Sequence, residues 1–128
     1  MLQYTTINQS TLELLIKLMQ ESCLKDFNLV GGTALALQLG HRISIDLDLF
    51  SNEDFNTQYI ISELGKKYRC IEITEYPFTI IQKIEYPSGT NNFVKVDIVK
   101  YPYKLIKQTI NEDGIRLLSK EDIIPMKL

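Results

Sequence analysis

Apolar residues recur along this chain in two rhythms. Leu12, Leu15, Ile16, Met19 and Cys23 fall three and four apart, which is one stripe of a helix. Ser10 and Glu13 form an S-x-x-E capping box that predicts where this helix begins. Phe27 to Val30 is a short apolar run, predicted as a buried strand and stopped by Gly31-Gly32. Thr33 is suited to cap a short helix over 34–39, which Gly40 ends. From Ile43 to Phe50 the alternation is strict, with Ile43, Ile45, Leu47 and Leu49 on one face and Ser44, Asp46, Asp48 and Phe50 on the other. That pattern predicts a strand.

A helix is expected over 52–68, with Phe55, Tyr59, Ile60 and Leu64 inward. Strands are expected over 70–74, 78–86 and 92–100, the last two joined as a hairpin by the turn-rich Pro-Ser-Gly-Thr-Asn-Asn at 87–92. A less patterned stretch leads to a short strand over 115–118, and Ser119 with Asp122 opens a final helix. The order predicts an α+β class, a mixed sheet with helices packed against it, in a single domain over 1–128.

Composition narrows the options. With 128 residues, 45% of them hydrophobic and 23% charged, the chain can bury a sizeable core and is neither disordered nor fibrous. A net charge of −2 supplies no overall basic field, so a polyanionic partner would need a local patch. Cys23 and Cys70 lack metal-site spacing, His41 is the lone histidine, and neither cysteine is expected to have a catalytic role. No apolar run approaches the roughly 18 residues of a membrane span. The opening MLQYTTINQ lacks the features of a signal peptide, so a cytoplasmic location without membrane partners is expected.

The chemistry concentrates around Val30-Gly31-Gly32-Thr33 and Ile45-Asp46-Leu47-Asp48-Leu49. A glycine pair between a strand and a helix start lets the backbone approach a ligand, and a helix start favours phosphate. Asp46 and Asp48 share a strand face and repel unless a cation lies between them, and Mg²⁺ suits such oxygen ligands with substrate phosphates completing its shell. In Val94-Lys95-Val96-Asp97-Ile98, Asp97 faces away from the three apolar residues, and a neighbouring strand could bring it to the first pair. Three carboxylates so placed can hold two metals and align a phosphoryl-type transfer.

These residues resemble a family. Gly31-Gly32, thirteen residues, then Asp46-x-Asp48, with Asp97 downstream, look like the core signature of the nucleotidyltransferase superfamily, the polymerase-beta-like fold. "LVGGTALALQLGHRISIDLDLF" resembles, more narrowly, the AbiEii/AbiGii group of nucleotidyltransferase toxins, and "VKVDIV" and "LLSKEDIIPMKL" extend the likeness in order. The resemblance implies a nucleotidyltransferase-like mixed sheet. It implies Asp46, Asp48 and Asp97 as catalytic, metal-binding acids holding Mg²⁺ or Mn²⁺, and Gly31, Gly32 and Thr33 at the nucleotide phosphates. An Asp-then-Lys motif maps to Asp122 and Lys127, the latter a phosphate contact, and Arg42 could meet a phosphate bidentately. The implied partners are a nucleoside triphosphate, a transfer RNA or other RNA acceptor, and a separately encoded antitoxin.

The family pattern continues beyond "MKL" into a helical C-terminal region, which the chain is expected to lack. A rival expectation follows: a catalytically incomplete module that binds nucleotide or protein. Lys66-Lys67-Tyr68-Arg69 and Lys100-Tyr101-Pro102-Tyr103-Lys104 could contact RNA, but a solvated helix end or sheet edge is the expected reading for each.

Overall fold

The computed structural model describes residues 8–30, 38, 46–100, 110–112 and 114–117. Helix α1 (Gln9–Met19) is capped by Asn8, whose side chain accepts the Thr11 N–H at 3.0 Å. Ser10 therefore lies inside the helix and is not its cap, and Glu13 accepts from Gln9 rather than reaching back to the backbone. Asn is as good a cap as Ser, and it stands two residues earlier. A 3₁₀ turn (Ser22–Leu24) then leads into β1 (Asn28–Val30). Strand β2 (Leu47–Ser51) follows, then α2 (Thr57–Gly65), β3 (Cys70–Tyr76), β4 (Thr79–Glu85), β5 (Phe93–Lys100), β6 (Ile110–Glu112) and β7 (Ile115–Leu117).

Helix α2 is shorter than the pattern predicts. The Ser51 hydroxyl accepts the Glu53 N–H, which shapes a turn, and Asn56 caps the helix by accepting the Tyr59 N–H. That start turns Ile60 and Leu64 inward but leaves Tyr59 50% exposed, against expectation. Strand β6 was not legible; it forms with β7 a hairpin whose turn holds Gly114 at φ +80, a conformation glycine adopts at little cost. The helix expected over 34–39 lies outside the described residues, apart from helical Gln38. Residues 43–45 of the expected strand and the expected last helix also lie outside them.

Among the described residues, the strands form one mixed seven-stranded sheet in the order β3-β4-β5-β2-β1-β7-β6. The centre is a parallel pair, β2 with β5, and β1 pairs antiparallel to β2 and parallel to β7. The expected β4–β5 hairpin is present; Glu85 lies inside its turn and accepts the N–H groups of Gly89 and Asn91 at 2.9 and 3.1 Å.

Alternation sorts the two faces. Leu47, Leu49, Val94, Val96, Ile98, Ile80 and Ile84 are buried in one cluster with Leu14, Leu15 and Leu18 of α1 and Ile60 and Leu64 of α2. Each such side chain contributes on the order of 1.5–3 kcal/mol of transfer free energy. The other face, at the start of β2, carries the acids. Arg116 of β7 ties the strand layer to the α1 end: its guanidinium donates to the carbonyls of Phe27, Met19 and Leu24 at 3.0, 3.0 and 2.8 Å.

Candidate active site

Register in the central pair decides which acids meet. Asp48 of β2 lies directly opposite Asp97 of β5. Residues opposite one another in a ladder project from the same face, so the two carboxylates are neighbours. Asp46, two residues before Asp48, is exposed, whereas Asp48 and Asp97 are half-buried. On the far side of β2, Val30 pairs with Asp48. Val30 is the last described residue before Gly31, so the chain enters the glycine pair from a position beside an acid.

The charge balance of this face includes a residue the sequence reading passed over. Lys95, two positions before Asp97 on β5 and thus on the same face, donates to Asp97 Oδ2 at 3.1 Å. That hydrogen bond, with the charge of Asp97 and then those of Asp46 and Asp48, raises the Lys95 ammonium above the ordinary lysine range. The charges of all three acids thus bear on this one cation, Asp97 most strongly. The signal was available as the K-x-D spacing in a strand of period two.

Asp97 Oδ1 is buried and has no hydrogen-bond partner. Buried acceptors are normally satisfied, and an orphaned carboxylate oxygen beside a second carboxylate is a fitting ligand for a hard cation. Among the described residues, no three His, Cys, Asp or Glu side chains are gathered within reach of one ion. Within this face the Lys95 ammonium holds Asp97.

With this geometry in view, the comparisons acquire meaning. Residues 13–128 match the family model described as nucleotidyl transferase AbiEii toxin, type IV TA system. The chain belongs to this family. A protein of Aquifex aeolicus (strain VF5), uncharacterized aq_aa25, is 29% identical over 119 residues, which cover 90% of this chain and 54% of that protein. Two Helicobacter pylori crystal structures share the fold. A candidate nucleotidyltransferase aligns with TM-score 0.64 at 20% identity, covering 94% of this chain and 58% of that one. JHP933 aligns with TM-score 0.61 at 21% identity, covering 94% and 57%. The AbiEii-family chain thus spans little more than half the length of these relatives.

Gly31, Gly32, Thr33, Arg42, His41, Asp122 and Lys127 lie outside the described residues; of the expected site the structure describes the three acids and sets Asp48 opposite Asp97. The expected solvated reading of the first basic cluster holds. Lys66 is exposed and pairs with Glu63 at 2.6 Å, and Lys67 with Glu21 at 2.9 Å. Arg69 lies 3.6 Å from Glu85. Beside them is a cavity of about 140 Å³ bordered by Lys17, Tyr68 and Tyr86, but Lys67 and Arg69 at its edge already face acids and Lys17 lies over the Tyr86 ring. Tyr101, Pro102, Tyr103 and Lys104 of the second cluster lie outside the described residues. Cys23 and Cys70 are free and half-buried, and burial raises both thiols above their ordinary value, which disfavours a nucleophilic role. No helix among the described residues is long and apolar enough to cross a membrane.

Proposed function

We propose that this AbiEii-family chain carries the acid centre of a metal-dependent nucleotidyltransferase. In this reading it moves a nucleoside monophosphate from a nucleoside triphosphate to an acceptor, as the toxin of a toxin–antitoxin pair. The observation that carries the reading is the register pairing of Asp48 with Asp97, whose Oδ1 is left without a partner, in a chain of this family. Asp46, Asp48 and Asp97 would hold Mg²⁺ or Mn²⁺, which when bound offsets the charge developing on the transferred phosphoryl group.

The chain's own residues do the remaining work. Asp48 and Asp97 sit on adjacent central strands, so the sheet fixes their separation and little reorganisation is needed during reaction. The acceptor hydroxyl oxygen bonds to the α-phosphorus as the bond to the β-phosphate oxygen breaks. Pyrophosphate leaves with that electron pair, and Asp97 would help to take the hydroxyl proton. Gly31, Gly32, Thr33, Arg42 and Lys127 are the groups proposed at the nucleotide phosphates. An RNA, transfer RNA among the candidates, is the proposed acceptor, and a protein antitoxin the proposed partner.

The test incubates the protein with each labelled triphosphate, Mg²⁺ and total RNA, beside an Asp48→Asn variant and a chelator control. Label should enter RNA only with metal and with Asp48 intact. Metal-and-triphosphate stabilisation without any transfer would favour the non-catalytic binding module instead. Equal transfer by Asp48→Asn would refute the assignment of the acids.

A further inference from the structure

Lys95 has no part in the mechanism above, yet its position is constrained from both sides. On β4, Lys83 lies directly opposite it, and Lys83 is occupied by Glu72 at 2.8 Å. Glu72 already neutralises Lys83, so the acid that Lys95 meets is on its own strand, Asp97. There its ammonium meets Asp97 Oδ2 at 3.1 Å and leaves Oδ1 unpartnered. The Lys95 side chain is 46% exposed, so it can leave that contact without disturbing the core.

A divalent cation arriving at Asp97 Oδ1 would sit a few ångströms from the ammonium on Oδ2, and the two positive charges repel and weaken one another at the shared carboxylate. Once displaced, the amine needs a new anion. A triphosphate accompanying the metal would supply several.

We propose that Lys95 is the resident counter-ion of the acid centre. It occupies Asp97 when no metal is bound and passes to the phosphates of the nucleotide when metal and triphosphate arrive together. Two consequences follow, and both rest on the metal-dependent nucleotidyltransferase reading. Metal alone binds against a resident competitor, and so binds weakly. Triphosphate strengthens metal binding by giving the displaced ammonium a partner, which couples the two ligands.

Lys95→Met, with Lys95→Gln as a second variant, tests this in three measurements. In the metal-free protein, the loss of melting temperature caused by Lys95→Met should largely vanish when Asp97 is already Asn, a coupling readable from the four-member cycle. Mn²⁺ titration without nucleotide should show about three- to tenfold tighter binding in Lys95→Met, since a competing cation at a partly exposed pair is removed. With metal saturating, triphosphate should bind Lys95→Met more weakly by a similar factor. Mn²⁺ affinity equal to or weaker than the parent's in both variants overturns the proposal, since it would make Lys95 a bystander or a support for Asp97. A parent protein that binds no Mn²⁺ at all overturns the functional reading itself, and the handover with it.

Discussion

Arg116 offers the sharpest quantitative test of how this fold supports its acid centre. Its three guanidinium nitrogens each donate to a backbone carbonyl, at 3.0 Å to Phe27, 3.0 Å to Met19 and 2.8 Å to Leu24. Those carbonyls end α1, end the 3₁₀ turn and enter β1, so one side chain gathers the whole approach to Val30 and the acid opposite it. A hydrogen bond to a charged group is worth about 1.5–3 kcal/mol net. Arg116 is half-buried, and freed helix-end carbonyls can turn to water, so the sum is discounted. Arg116→Ala should cost about 3–4 kcal/mol, a large part of the roughly 5–15 kcal/mol that holds such a domain folded. For a chain of this size that is on the order of a 10 °C fall in melting temperature. Arg116→Lys should recover less than half, because an ammonium cannot reproduce a fork aimed at three acceptors. Urea unfolding followed by circular dichroism measures both variants. A cost below about 1 kcal/mol for Arg116→Ala, at unchanged m-value, would show that water replaces the clamp and that β1 is positioned by packing alone.

Other outcomes follow from single residues. Gln82 is buried at 1% exposure among Ile80, Ile84 and Val96, with neither amide atom hydrogen-bonded, so Gln82→Leu should raise stability by about 1–2 kcal/mol in the same urea assay. A loss would mean that the amide has a partner in solution. Asp46→Asn should leave metal-free stability within about 1 kcal/mol, since Asp46 is exposed, while sharply weakening Mn²⁺ binding measured by titration. Glu85 is held below the ordinary carboxylate value by the Gly89 N–H, then by the Asn91 N–H and the Arg69 charge. A lowered folded-state value means that its contribution is present above the unfolded value near pH 4.5 and is lost as pH falls through the folded one. Glu85→Gln should therefore flatten the decline of stability on the acid side, as followed by melting temperature against pH.

The central strands were legible because their apolar and polar positions alternate without a break. Asp97 was readable as facing away from Val94, Val96 and Ile98, and it does, while those three are buried. Its meeting with Asp48 was not readable, because strand order and register depend on partners distant in sequence. The start of α1 was misplaced for a local reason: Asn8 and Ser10 are both competent caps, and the apolar stripe does not distinguish them. Tyr59 falls four residues after Phe55, but the helix begins only at Thr57, so that pair shares no helical stripe, and Tyr59 lies about 100° round the helix from the buried Ile60. Lys95 was missed because attention to acids passed over the cation that accompanies them. Arg116 carries no motif at all; its three acceptors are backbone carbonyls, which a sequence does not display.

The parallel pairing of β2 with β5 also governs when the acid centre comes into being. Asp48 and Asp97 lie on strands separated by a helix and two further strands in the chain, so their encounter closes a long loop. Such non-local pairings form late, after the loop-closure entropy has been met by local structure. The β4–β5 hairpin must assemble and then dock against β2 before the carboxylates stand side by side. A nascent chain that has not yet released Lys100 from the ribosome therefore holds the first two acids without the third. An interval is built into synthesis in which the polypeptide exists and its chemistry does not, and a partner that recognised the unpaired edge of β2 during that interval would stop the centre from ever assembling.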